Sequence, residues 1–124
     1  MVVDASALVS LLKGEPSAPS VRRVIEGASR LIMSSVTLTE VLLIALKERR
    51  SSSVTQRWVA ELQIEIVPVD ETLAAMAAEA RHRFPIRFGD GFVYALAKEH
   101  GLPVLTLDAE FAKTDVDLVP LGQN

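Results

Sequence analysis

The chain has 124 residues, is 49% hydrophobic and carries a net charge of −3, so it fits one domain with a real core and is not an obviously basic nucleic-acid binder. It contains no cysteine, which excludes disulfides, thiolate zinc sites, iron–sulfur clusters and cysteine nucleophiles, and fits a reducing cytoplasm. Asp4 and Lys13 break the first apolar segment, and the densest apolar run, VLLIAL at 41–46, is too short to cross a bilayer, so a cytoplasmic protein without a targeting signal or membrane partner is expected.

In chain order, VVD at 2–4 reads as a short strand that ends on a carboxylate. ASALVSLLK follows as a helix with Ala7, Leu8, Leu11 and Leu12 on one face, closed by Gly14 and Pro16. Residues 17–28 suit a second helix stopped near Gly27, and RLIMS at 30–34 a strand. Ser34 and Ser35 offer caps for TLTEVLLIALKERR, a helix with basic residues in its last turn. SSSVTQRWVAELQ at 51–63 has serine caps and Val54, Trp58 and Leu62 at helical spacing, which favours a core role for Trp58 over stacking on a base; IEIVPV at 64–69 alternates as a strand. Asp70 caps a helix that carries Leu73, Met76, Ala77 and Ala80 on one face. FGDGFVYALAKEHG at 88–101 is a helix with Gly101 just past its end, and PVLTLD at 103–108 and DLVPL at 117–121 are the last strands. Local basic groups, among them Arg81, Arg83 and Arg87, read as solvated helix ends or as a basic surface.

Strands alternating with helices predict a mostly parallel sheet covered on both faces. In such sheets ligands bind beyond the carboxyl ends of the strands. Four acids fall at those junctions: Asp4 and Asp108 at strand ends, Glu40 early in the helix after RLIMS, and Asp90 in the first turn of the 88–101 helix. Each aspartate has a plain alternative as a helix cap. Glu40 is harder to explain that way, because positions 36, 40, 43 and 44 share a largely apolar face and an unpaired carboxylate there is expensive. Clustered carboxylates repel one another unless a cation neutralises them, and hard oxygen donors point to Mg²⁺ or Mn²⁺ rather than zinc. Such an ion serves phosphodiester hydrolysis. Other chemistries lack support. His82 and His100 sit beside charged residues in surface-like helical contexts, and neither GxGxxG nor GxxxxGK[ST] occurs. Ser6 has no paired histidine and reads as support for Asp4 or for a metal-bound water. Gly89 and Gly91, flanking Asp90, read as sites of close backbone approach.

At these residues the chain resembles PIN-domain proteins of the VapC toxin type. VVDASALVSLLKGEP resembles the family's opening strand and helix, with Asp4 and Ser6; SSVTLTEVLLIAL resembles its second motif, with Glu40; FGDGFVYALAKEHGLPVLTLD resembles the third and fourth, with Asp90 and Asp108. The likeness runs from end to end. It implies a three-layer α/β/α fold with a mostly parallel central sheet, as a single domain over residues 1–124. It also implies an endoribonuclease dependent on Mg²⁺ or Mn²⁺, cutting single-stranded or looped RNA as the toxin of a VapBC-type toxin–antitoxin pair. A VapB-type antitoxin would cover the acidic groove with its tail, and the toxin would form a homodimer. Asp4, Glu40, Asp90 and Asp108 then serve as catalytic and metal-binding acids. The fourth motif departs from many relatives by reading LDAEF, so Glu110 is an alternative or additional fourth acid, and Asp115 a candidate for a second metal position. Two rivals stand beside this reading. A receiver-like phosphoacceptor domain would want an acid pair after the first strand and a lysine where Thr106 stands. A catalytically silent PIN-fold scaffold would not need all four acids.

Overall fold

Strands and helices alternate as β1 (Val2–Val3), α1 (Ala5–Lys13), α2 (Ala18–Gly27), β2 (Leu31–Ser34), α3 (Ser35–Lys47), α4 (Ser52–Glu61), β3 (Ile64–Val67), α5 (Glu71–Arg83), α6 (Phe88–His100) and β4 (Val104–Leu105), followed by a short 3₁₀ helix at Ala109–Lys113. The computed structural model describes residues 1–122; the last two residues of the expected 1–124 domain lie outside the described residues. All strand pairs are parallel and the sheet order is β3-β2-β1-β4. Val2 stands opposite both Ile32 and Val104, and Val3 opposite Leu105. From β1 the chain winds outward through β2 and β3, then returns to place β4 on the other flank of β1. The connections leaving β1 and β4 therefore diverge, which opens a crevice at the carboxyl ends of these two strands.

Successive strand side chains point to opposite faces of the sheet, and both faces are dry. Val3 and Met33 join Leu8, Val21 and Val41 in a core under α1, α2, α3 and α4, while Val2, Ile32 and Val104 join Val93, Leu96 and Phe111 under α5 and α6. Eleven of these side chains, from Val2 to Phe111, are 0% exposed. Covering a parallel sheet on both sides gives the three-layer α/β/α architecture, as the alternation of elements predicted.

The helix ends follow the local chemistry of the sequence. Ser34, Ser51 and Asp70 accept the main-chain N–H of Thr37, Val54 and Leu73 respectively. Gly14 and Gly101 close α1 and α6 with φ of 62° and 64°, a backbone region in which a side chain is strained. Three expectations need correction. DLVPL does not form a strand; it contributes a single bridge between Val104 and Leu118. The row of α3 that enters the core is Thr37, Val41 and Ala45, whereas Leu43, on the face shared with Glu40, is 53% exposed. His100 is half-buried in the last turn of α6 rather than at the surface. Trp58 packs half-buried against the core, but the buried residues of α4 are Thr55 and Val59, and Val54, at the same helical spacing as Trp58, is 57% exposed. No helix among the described residues is long and apolar enough to cross a membrane.

Candidate active site

Asp4 follows β1 directly and stands at the start of α1, but its carboxylate makes no capping hydrogen bond to that helix. Its Oδ2 instead accepts the Ser6 hydroxyl at 2.7 Å and the Thr106 hydroxyl at 2.8 Å. Both hydroxyls are themselves fixed: Ser6 Oγ accepts the N–H of Leu107 and Thr106 Oγ1 that of Asp108, each at 2.9 Å. A carboxylate that is 4% exposed is thus held by two neutral donors, one from each side of the crevice. Burial pushes its pKa above the ordinary value, the two hydroxyls restrain the rise, and Asp108 adds to it.

Glu40 reaches the same crevice from the middle of α3. Burial, then the charges of Asp4 and Asp90, push its carboxyl up to about 7 against the opposing Arg87. Space for this carboxylate comes from Gly89, where a Cβ would collide with the carboxylate of Glu40. Asp90, 6% exposed, lies in the first turn of α6 and uses Oδ2 to accept the N–H of Arg87 at 3.1 Å. It therefore caps its helix and faces the crevice at once. Its pKa is also raised, first by burial and further by Asp4 and Asp108, against the pull of the Arg87 amide and guanidinium.

Asp108, three residues beyond β4, divides its two oxygens. Oδ1 accepts the N–H of Glu110 at 2.9 Å, which caps the 3₁₀ helix. Oδ2 meets Arg87 Nη2 at 2.5 Å, and Arg87 Nε stands 3.7 Å from Asp90 Oδ2. Glu110 directs its own carboxylate to Lys113 at 3.5 Å. Asp115 accepts the Tyr94 hydroxyl at 2.5 Å and pairs with Lys98 at 3.4 Å. The structure thus joins Asp4, Glu40, Asp90 and Asp108 by mutual electrostatics and engages Glu110 and Asp115 with cations elsewhere.

A cleft of about 240 Å³ lies between these elements, lined by Asp4, Ser6, Glu40, Arg87 and Asp90. A larger cavity of about 420 Å³, lined by Leu11, Leu12, Val54 and Trp58 among others, contains no acid. The acidic donors of the cleft are all oxygen, and its three acids, Asp4, Glu40 and Asp90, have pKa values raised by burial and by neighbouring carboxylates, with Asp108 beside Arg87 at the rim. A bound divalent cation relieves that penalty, so the chemistry of the site fits one. Among the described residues no three acids stand close enough together to ligate one ion as they are; the positive charge at the rim is supplied by Arg87. Sequence reasoning missed Arg87 and Thr106 as members of the site, because the contacts that link them to Asp108 and Asp4 span 21 and 102 positions.

The PIN domain family matches residues 1–117. Ribonuclease VapC30 of Mycobacterium tuberculosis is 34% identical over 132 residues, an overlap of 98% of this chain and 99% of that protein. Among solved structures, VapC20 of Mycobacterium tuberculosis, a Sarcin-Ricin loop cleaving toxin, superposes with a TM-score of 0.81 at 17% identity, covering 95% of this chain and 97% of that one. DNA bound VapBC from Salmonella typhimurium does so with a TM-score of 0.74 at 23% identity, covering 96% and 95%. The two structural likenesses establish the fold, and the sequence matches establish the lineage: this chain belongs to the PIN-domain family, among the VapC ribonucleases.

Proposed function

We propose that the chain is the toxin of a VapBC-type toxin–antitoxin pair and hydrolyses RNA phosphodiester bonds as a metal-dependent endoribonuclease. The observation that carries this reading is the convergence of Asp4, Glu40 and Asp90, all with raised pKa values, on one cleft, with Asp108 joined to its rim through Arg87. Asp4 and Asp90 are the principal holders of Mg²⁺ or Mn²⁺, with Glu40 and Asp108 completing the carboxylate ring. When bound, the ion supplies Lewis acidity toward a phosphoryl oxygen and lowers the pKa of water. Ser6 and Thr106 keep Asp4 fixed in one orientation, and Glu40 and Asp108 orient the attacking water. Phosphate contacts from basic residues near the rim position the RNA, which makes binding salt-dependent.

The VapBC neighbour supports a VapB-type antitoxin as partner, its tail covering the acidic cleft, and the same family reading carries a homodimer of toxin chains. The deciding experiment follows cleavage of structured RNAs with Mg²⁺ or Mn²⁺. Cleavage is expected to stop with EDTA and with Asp4→Asn. Activity that survives either change overturns the metal mechanism, and an intact, folded chain that cuts no RNA with either ion favours the silent scaffold.

A further inference from the structure

Arg87 is an unusual neighbour for an acidic cleft. It is the only cation among the described residues that pairs with any of the four acids. Its side chain is 78% exposed, while the carboxylates of Asp90 and Asp108 beside it are 9% and 10% exposed. The guanidinium thus sits over the rim from the solvent side. It meets each carboxylate through a single oxygen, Oδ2 in both cases, rather than as a two-pronged fork.

Neither acid depends on the guanidinium for its place. Asp90 Oδ2 keeps the main-chain N–H of Arg87, and Asp108 Oδ1 keeps that of Glu110. Both anchors are backbone groups that remain if the side chain swings away. Only the guanidinium end of these pairs is exposed and screened by solvent; the nearly buried carboxylates need another cation when it leaves. A divalent cation held by Asp4 and Asp90, with Asp108 completing the ring, places two positive charges beside the guanidinium, and like charges at that separation repel.

From these contacts we infer that Arg87 is an exchanging counter-cation. In the metal-free chain its guanidinium neutralises Asp90 and Asp108. When a divalent ion takes those carboxylates, the guanidinium leaves them and binds a phosphate of the RNA at the mouth of the cleft. Arginine suits both duties, because carboxylate and phosphate present the same paired-oxygen geometry. The flexible stem and the solvent-side position give the side chain room for the move. This inference rests on the metal-dependent reading of the site.

The test measures Mn²⁺ binding by calorimetry for the wild-type chain, Arg87→Gln and Arg87→Lys. Removing the competitor is expected to tighten Mn²⁺ binding by about 3- to 10-fold in Arg87→Gln, and Arg87→Lys, which keeps a charge but not the reach, lies between. In parallel, anisotropy of a short labelled polyuridine is followed with saturating Ca²⁺ across a salt series. Arg87→Gln is expected to bind it several-fold more weakly and with a salt dependence reduced by about one phosphate contact. Unchanged or weaker Mn²⁺ binding in Arg87→Gln overturns the exchange, as does unchanged polyuridine binding. The two readings fail differently: if wild type and variant both bind Mn²⁺ with one affinity, only the exchange falls, whereas if neither binds Mn²⁺ the metal reading falls with it.

Discussion

Glu40 shows at the scale of one residue what the site costs the fold. Its carboxyl is raised from about 4.5 to about 7, so folding favours the protonated form. For a carboxyl shifted upward, stability is full below the unfolded value and is lost as pH rises through the folded one. The metal-free chain is therefore expected to lose about 1–2 kcal/mol between pH 4.5 and about 7, after discounting for partial exposure. Asp4 and Asp90, also raised, add losses of the same sign that begin at lower pH. Urea melts at about pH 5 and about pH 7.5 check this: Glu40→Gln should flatten the upper part of the dependence, and an equally steep Glu40→Gln profile would contradict the assignment. Glu40 and Asp4 were legible in the sequence because a charge in apolar company demands a partner. Thr106 and Arg87 were not, since a threonine in a strand and an arginine before a helix are ordinary until folding places them against Asp4 and Asp108.

Between elements, two glycines two positions apart separate function from stability. A Cβ on Gly91 would stand 2.7 Å from the carbonyl oxygen of Ala77, and backbone of α5 cannot yield without moving the α5–α6 contact. Gly91→Ala is expected to cost about 1–3 kcal/mol of stability by overpacking. The nearest atoms to a Cβ on Gly89 belong to the end of the Glu40 side chain, which can turn aside. Gly89→Ala should melt close to the wild type yet lose RNA cleavage more than tenfold, because Glu40 leaves the cleft. Thermal melts and cleavage rates on the two variants distinguish the cases; equal effects on both would refute this division of labour. The sequence singled out both glycines as points of close approach but not what approaches each. Helix boundaries were readable wherever a serine or aspartate cap met an apolar period. DLVPL misled because its apolar spacing suits a strand, although it makes only one bridge, at Val104, through the main chain of Asp117 and Val119.

Taken as a whole, the molecule is expected to be a better fold with its ion than without it. A ligand that binds only the native chain stabilises it by mass action, about 2.7 kcal/mol at a hundredfold excess over Kd. Mn²⁺ should therefore raise the melting temperature, EDTA should reverse the rise, and Asp4→Asn should abolish it; a melting temperature indifferent to Mn²⁺ would argue against a resident ion. Alternating elements in the sequence announced a parallel sheet, while the order β3-β2-β1-β4 depends on long-range pairing that local patterns do not encode. That order has a consequence for how the protein is made. β1 leaves the ribosome long before β4, which closes its flank toward the cleft, and Asp4 waits for a hydroxyl 102 residues downstream. Pairing across such a span is slow to form and comes late. The first acid, its two hydroxyl supports and the fourth acid meet only once residue 108 has been synthesised, so a nascent chain that stops short of it carries no assembled acidic cleft.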